Sequence, residues 1–181
     1  AQIRLSHSFH TNPVNVDVAV SLARAPQRDT GAAVLVGQRH EIRLSDLDAR
    51  VEGLMASELA RYETVLDDEI YRASFARLTD PAVTDYHGLL ALLDGAPVGL
   101  VHYIFHRHGW QIEEVCYLQD LYVVPEARGT GAGRRLIEAV YAAADAAGRP
   151  NVYWLTQTFN TTARQLYDRV GTATPFIKYR R

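Results

Sequence analysis

Three glycines alternate between two arginines in one short segment of this chain, Arg128-Gly129-Thr130-Gly131-Ala132-Gly133-Arg134. The segment follows an apolar, strand-like run and precedes a helix-like one. The first amides of a helix have no intrahelical partner and carry a partial positive charge, so they bind phosphate when no side chain stands in front of them. Glycines leave that space clear and arginines add charge. The pattern favours an anion site over a turn that only packs tightly.

The spacing of the glycines excludes two common phosphate loops. A Walker A loop starting at Gly129 needs Gly-Lys at positions 134 and 135, where the chain has Arg134 and Arg135. A dinucleotide-binding loop starting at Gly131 needs a glycine at position 136, where the chain has Leu136. A nucleotide-binding switch or hydrolase is therefore disfavoured.

A third pattern does match. Arg-x-x-Gly-x-Gly, from Arg128 to Gly133, preceded by the run Leu121-Tyr122-Val123-Val124-Pro125, resembles the acyl-CoA pyrophosphate loop of the GNAT superfamily of N-acetyltransferases. A second motif, from Asn160 to Gly171, is similar to the family's later Asn-x-x-Ala-x-x-x-Tyr-x-x-x-Gly helix. From about His40 to Tyr179 the order of elements also resembles the family's fold, and residues 1–37 lie outside this resemblance.

Within the superfamily, the stretches CYLQDLYV and TPFIKY resemble the branch that acetylates small amines, which includes the spermidine/spermine N-acetyltransferases and fungal amine or histone acetyltransferases. The resemblance implies that acetyl-CoA serves as co-substrate, without a metal, and that the amine attacks it directly. The implied acceptor is a primary amine of a small molecule such as a polyamine or an amino acid. The alternatives are a protein or histone lysine acetyltransferase and a catalytically weak CoA-binding sensor.

The resemblance also implies which residues bind acetyl-CoA. The main chain of Leu121 to Val124 would hold the pantetheine arm like an added strand, and one N–H there would polarise the thioester carbonyl. Asn160 would orient the arm. Tyr167 would donate to the leaving sulfur, since a phenol of pKa about 10 stays protonated at neutral pH. The predicted binding residues are Leu121, Tyr122, Val123, Val124, Arg128, Gly129, Thr130, Gly131, Ala132, Gly133, Arg134, Asn160 and Tyr167.

The group that removes the proton from the amine is harder to assign. Gln119 stands where the related polyamine enzymes usually carry a glutamate, and an amide is not a useful proton acceptor. Asp120 points to the face opposite Gln119 if the strand is regular, unless a bulge re-aims it. Either His106 or His102 is a further candidate, because an imidazole with a pKa near 6.5 suits a base. The predicted catalytic residues are Tyr167, Asp120 and His106.

A metal site is the other use for histidines that share one strand face. His102, His106 and His108 have the same parity. Pairs of this kind can bind zinc, but no matched carboxylate or fourth ligand accompanies them. We therefore expect no metal.

Hydrophobic periodicity predicts the elements that position these residues. The expected fold is α/β (α+β), with a mixed, mostly antiparallel central sheet flanked by helices on both faces. The predicted strands lie near Val14–Val20, His40–Leu44, His87–Leu93, Val98–His106, Ile112–Val124, Val152–Leu155 and Phe176–Tyr179. The predicted helices lie near Leu47–Leu59, Asp67–Leu78, between Pro125 and Gly148, and near Asn160–Gly171. Residues 38–181 would form one domain, and residues 1–37 an N-terminal extension with one extra strand.

Composition narrows the class of protein. The 181 residues are 48% hydrophobic and 22% charged, which suits a globular domain. No apolar run approaches the roughly 20 residues that span a bilayer, so we expect a cytoplasmic protein without a membrane partner. The net charge of -2 gives no electrostatic case for nucleic acid. Cys116 is the only cysteine, which excludes an internal disulfide. The N-terminal and last strands are candidate pairing surfaces for a homodimer.

Overall fold

A five-stranded sheet forms the centre of the protein. The computed structural model describes residues 16–21, 32–33, 42–43, 53, 67–80, 82–94 and 96–181. The strands are β1 (Val16–Ser21), β2 (Ala32–Ala33), β3 (Ile42–Arg43), β4 (Tyr86–Leu93), β5 (Ala96–His106), β6 (Val115–Val123) and β7 (Val152–Trp154). The central sheet has the order β1-β4-β5-β6-β7. All its pairs are antiparallel except β6 with β7, and β2 pairs separately with β3.

The described helices are α1 (Asp68–Thr79), α2 (Ala132–Ala146) and α3 (Thr161–Val170), with a 3₁₀ turn at Pro125–Ala127 before α2. The first turn of α1 carries Asp68 and Glu69, whose negative charge suits a helix N-terminus. At the end of α2, Gly148 has a φ of 69°, and Arg149 donates its N–H to the carbonyl of Ala144 at 2.8 Å. Glycine takes this conformation easily and so ends the helix. No helix in the described ranges is long and apolar enough to cross a membrane.

The two faces of the sheet bury separate clusters, because side chains alternate along each strand. One face packs against α2 and α3 through Leu89, Val101, Tyr103, Phe105, Cys116, Leu118, Leu136, Ile137 and Val140. The other face packs against α1 through Leu78, Leu90, Leu92, Leu100 and Tyr122. Helices therefore cover both faces of a mostly antiparallel sheet, which confirms the predicted fold class.

Cys116 belongs to the first of these clusters and is fully buried. Burial raises the pKa of its thiol to about 12, although the charge of Arg149 acts in the opposite direction. The side chain is therefore a protonated thiol that fills space in the core, as its place in a strand-like run predicts.

The structure differs from the predicted secondary structure at the last predicted strand and at the start of β6. Phe176–Tyr179 forms no strand and the prediction is wrong there: the segment has no described strand beside it, and its side chains are exposed, with Phe176 at 84%. A strand needs a hydrogen-bonding neighbour, which an apolar pattern alone does not supply. The third strand of the meander starts at Val115 rather than Ile112, since residues 112 and 113 form bends and residue 114 is irregular. The predicted helix at Leu47–Leu59 lies outside the described residues apart from Gly53, which is helical.

Candidate active site

A bulge at Gln119 determines where the neighbouring side chain points. On β5 and β6, Tyr103 lies opposite Leu118 and His102 lies opposite Asp120, so Gln119 has no counterpart. An extra residue in one strand reverses the alternation of every side chain after it. Asp120 therefore shares the face of His102, on the side of α1, instead of joining Leu118 in the core beneath α2. The structure therefore contains the bulge that, in the sequence analysis, could re-aim Asp120.

Asp120 and His102 are in contact on this face. Nδ1 of His102 lies 3.1 Å from Oδ2 of Asp120, and the side-chain amide of Gln119 donates to the same oxygen at 3.2 Å. His102 is only 2% exposed and is the one buried polar side chain among the described residues, whereas the Asp120 side chain is 32% exposed. The carboxylate is thus held from one side and reaches solvent on the other.

The sheet opens next to this pair. β7 is paired with β6 at three positions, Cys116 with Val152, Tyr117 with Tyr153 and Leu118 with Trp154. Beyond Leu118, no strand in the described chain borders β6 on that side. The bulge and the end of the parallel pairing therefore coincide, and they leave a gap beside the last five residues of β6.

Backbone groups line this gap. Val124 donates its N–H to Val98 of β5 at 2.9 Å. Successive residues of an antiparallel strand direct their backbone groups to alternate sides, so the amides of Val123 and Leu121 point into the gap. Nε of Arg128 donates to the carbonyl of Val123 at 3.2 Å, which agrees with that direction. An extended ligand can add here as a strand would.

The glycine segment forms an open helix N-terminus at the end of the gap. Gly129 and Gly131 have φ angles of 80° and 90°, a region that favours glycine, and a side chain built on either would meet no atom within 4 Å. No side chain caps α2, and its first backbone hydrogen bond is donated by Arg135 to Gly131 at 3.0 Å. The first amides of a helix, before this bond, have no intrahelical partner. This geometry suits an anion such as a pyrophosphate.

Gly133 has a different local role. A Cβ at this position would lie 3.4 Å from Leu166 of α3, so the missing side chain lets α2 and α3 pack closely. Ala132 is buried. Two of the three glycines thus serve the open turn and one serves helix packing.

The polar side chains around this turn already have partners in the chain. Thr130 donates its hydroxyl to the carbonyl of Ala127 at 2.7 Å, which closes the turn. Arg134 forms an ion pair with Glu138 at 2.8 Å, with both side chains half exposed. Such a surface pair contributes at most about 1 kcal/mol, so Arg134 can turn toward a phosphate at low cost.

Tyr167 lies in α3 and Asn160 lies at its N-terminus, on the face of the sheet that packs against α2 and α3. Tyr167 packs against the cluster beneath α2, with its ring 5.5 Å from that of Trp154 on β7. Gly171 permits this arrangement, since a Cβ there would lie 2.5 Å from the Trp154 ring. Asn160 is at the N-cap of α3 but does not cap it: its amide donates to Thr156 at 3.1 Å. Tyr167 and Asp120 therefore lie on opposite faces of the sheet.

His106 is not close to Asp120. It lies four residues beyond His102 on β5, about 13 Å at 3.3 Å per residue. Its Nε2 is 3.0 Å from the hydroxyl of Tyr153 and its Nδ1 is 2.9 Å from the carbonyl of Arg107. Tyr153 stacks on Tyr117, with 5.0 Å between ring centroids. Sequence reasoning did not single out this tyrosine pair, because a single sequence does not reveal the register of β6 with β7.

The described residues contain no group of three or more His, Cys, Asp or Glu side chains that could hold one metal ion. The three histidines of equal parity have separate partners. His102 contacts Asp120, His106 contacts Tyr153, and His108 accepts the N–H of Trp110 at 3.3 Å.

Known proteins resemble this chain in sequence and in fold. The model of the acetyltransferase (GNAT) family matches residues 51–172, which include β6, the glycine turn and α3. The chain belongs to the GNAT acetyltransferase family. The D-amino-acid N-acetyltransferase HPA3 of Saccharomyces cerevisiae is 42% identical to this acetyltransferase over 120 residues, 66% of this chain and 74% of that protein. The thialysine N-epsilon-acetyltransferase of Bos taurus is 32% identical over 123 residues, 63% of this chain and 72% of that protein.

Solved structures give the same fold. An aminoglycoside N-acetyltransferase, AAC(6')-Iy, solved in complex with CoA, matches this acetyltransferase with a TM-score of 0.66 over 94% of this chain and 99% of that one. The two chains are 16% identical, so the likeness concerns the fold alone. Family membership confirms the predicted enzyme class, an acetyltransferase. The two relatives are themselves named for small amine acceptors.

Proposed function

We propose that this acetyltransferase moves the acetyl group of acetyl-CoA to the primary amine of an amino acid or an amine of similar size. The observation that carries the proposal is the gap between β6 and β7, with Asp120 on one face of the sheet and Tyr167 on the other. An amine can approach from the face of Asp120 while the sulfur leaves toward α3. The relatives that act on D-amino acids and on thialysine support amino acids as the first class to test.

The residues around the gap fit acetyl-CoA. The amides of Leu121 and Val123 suit the pantetheine arm, and the uncapped start of α2 with its two open glycines suits the pyrophosphate. Tyr122 and Val124 support this edge from the cluster beneath α1. Positive charge beside the turn comes from Arg128 and Arg134, and Thr130 closes the turn through its hydrogen bond to Ala127. Asn160 orients the pantetheine arm. Acetyl-CoA, when bound, supplies the acetyl group as a thioester.

Asp120 takes the proton that the amine must lose. An alkyl ammonium has a pKa about 3 units above neutral, so the reactive free amine is disfavoured by about 4 kcal/mol. A carboxylate at the gap binds the ammonium ion and takes one proton, which frees the nitrogen lone pair to attack the thioester carbonyl. The nitrogen releases its second proton to solvent after the N–C bond has formed. The amide N–H of Leu121 polarises the carbonyl. Tyr167 gives its proton to the sulfur as the C–S bond breaks, and solvent restores it.

The stacked tyrosines and His106 form one wall of the acceptor site in this proposal. Tyr117 lies opposite Ile104, so the pair shares the face of Asp120, about 7 Å along the strand at 3.3 Å per residue. Burial, and to a lesser extent Cys116, raises the pKa of Tyr153, which therefore stays a neutral phenol. His106 retains its predicted role as an alternative proton acceptor for a longer amine that reaches this wall.

A panel of amines assayed for release of CoA thiol tests the proposal. We expect turnover with amino acids of either hand or with thialysine, and at least 100-fold lower kcat in Asp120→Asn with acetyl-CoA binding retained. Turnover with lysine peptides alone would indicate a protein acetyltransferase. Binding of acetyl-CoA without turnover for any amine would leave the CoA-binding sensor as the answer.

We further propose that the enzyme works as a homodimer. The outer edge of β7 has no neighbouring strand in the described chain, and the exposed apolar segment Phe176–Tyr179 has the strand-like pattern that such an edge accepts. The cytoplasmic location and the boundary at residues 37 and 38 stay predictions from the sequence.

A further inference from the structure

We propose that His102 is a positioning residue that holds the Asp120 carboxylate so that its oxygen Oδ1 faces the acceptor amine. The inference rests on the proposed function, in which Asp120 receives the amine proton. His102 does not touch the substrate and acts through Asp120.

Burial makes His102 an unusual residue for this strand. Taking an unpaired polar group out of water costs about 1–3 kcal/mol, so a buried imidazole needs a hydrogen-bond partner. Asp120 is that partner, at 3.1 Å. The neighbouring buried positions Leu100 and Val101 are apolar. Stability alone would be served by an apolar residue at position 102, so the imidazole points to a role beyond packing.

Asp120 needs such a partner because it lies at the bulge. The ladder between β5 and β6 is locally disrupted there, so regular pairing does not fix the side chain. His102 on β5 and Gln119 on β6 both approach Oδ2, at 3.1 and 3.2 Å. Within the described residues no hydrogen bond engages Oδ1. Contacts from two strands therefore fix the carboxylate and leave one oxygen for the amine.

The contact also fixes the state of the imidazole. A carboxylate only accepts hydrogen bonds, so the His102 proton lies on Nδ1 and is donated to Asp120. Among the described residues, the ring of Tyr86 on β4 also lies against His102, with 5.7 Å between ring centroids.

Two variants of similar size separate positioning from packing. His102→Asn keeps an N–H donor at the place of Nδ1, whereas His102→Leu removes it. We expect His102→Leu to lower kcat at least 10-fold with the KM for acetyl-CoA within 2-fold of wild type, and His102→Asn to retain kcat within about 3-fold. His108→Asn, in the exposed hairpin, serves as the matched control with unchanged kcat. Equal losses in both His102 variants, or full activity of His102→Leu, would overturn the proposal.

A measurement on the intact site covers the case in which His102→Leu does not fold. Nitrogen NMR of the imidazole should show the proton on Nδ1 in the wild-type enzyme and loss of that preference in Asp120→Leu, which removes the acceptor. A proton on Nε2 in the wild type contradicts the proposal. This result is independent of turnover: a wild type that acetylates no amine overturns the proposed function, while the tautomer still decides whether His102 holds Asp120.

Discussion

In the proposed mechanism, two side chains divide the chemistry between the two faces of the sheet. Asp120 lies on the face of α1 and Tyr167 on the face of α2 and α3, so the proposed proton acceptor and the proposed proton donor are separated by the strand gap. The sequence indicated both residues as candidates, and their catalytic roles stay predictions. The sequence did not distinguish His102 from His106, because both point to the same face of β5. They differ only in their contacts with neighbouring strands, Asp120 for His102 and Tyr153 for His106.

Replacement of Tyr167 by Phe tests the donor. The ring keeps its packing against Trp154 while the hydroxyl is lost, so we expect kcat to fall about 10- to 100-fold with the KM for acetyl-CoA within about 2-fold. Steady-state kinetics with a saturating amine measure both values. Unchanged kcat would remove Tyr167 from the mechanism.

A second prediction concerns His87, which stacks on Tyr103 with 5.1 Å between centroids. Burial lowers the pKa of His87, outweighing the hydrogen bond to Thr84 that raises it. Below about pH 6.5 the unfolded imidazole binds a proton that the folded one resists, so the free energy of unfolding falls as pH drops through this range and levels off below the folded pKa. Chemical denaturation at pH 7 and pH 5 should show a smaller difference for His87→Phe than for wild type. Equal differences would contradict the assignment.

The sequence predicted helices and strands well where the spacing of apolar residues is regular, and poorly where contacts between distant strands determine the structure. The meander, α1, α2 and α3 follow from alternating or helical spacing of apolar residues, and their bounds agree within a few residues. The bulge at Gln119 and the short pairing of β7 arise from contacts between strands distant in sequence. These two features build the site, and no local pattern encodes them.

Two glycines with positive φ offer a matched test of the open turn. Gly131 precedes α2 and Gly148 follows it, with φ angles of 90° and 69° and free space around each. Alanine at either position costs about 1–2 kcal/mol of stability from backbone strain. Only Gly131→Ala places a methyl group before the helix N-terminus, so we expect it alone to raise the KM for acetyl-CoA, by about 10-fold. Equal KM values in the two variants would argue against pyrophosphate binding there.

Among the described residues, large exposed apolar side chains lie in the segment Phe176–Tyr179 and on the β5–β6 hairpin. Phe176, Ile177 and Tyr179 are each more than 70% exposed, and Trp110 and Ile112 stand out on the β5–β6 hairpin. Exposed groups of this size often mark surfaces that join another chain. The sequence predicted a strand at 176–179, and a second copy is the partner that would allow it to form.

Removal of residues 175–181 tests this arrangement. We expect light scattering to give the mass of a dimer for the full chain and of a monomer for the truncated one, because the apolar pairing segment is gone. Removal of Arg180 and Arg181 alone is the control and should leave a dimer. A monomeric full chain, or a dimer in all three proteins, would contradict the proposal.

The deep placement of Cys116 has a practical consequence for enzymology. It is the only cysteine of the chain, and a thiol with a pKa of about 12 is ionised in about one molecule in ten thousand at pH 8. A thiolate attacks chromogenic disulfide reagents, so in the folded enzyme these reagents should react with the thiol of liberated CoA and leave Cys116 unmodified. Colorimetric assays of the variants described above can therefore run continuously without the reagent modifying the enzyme. Slow labelling of Cys116 then reports unfolding of the protein.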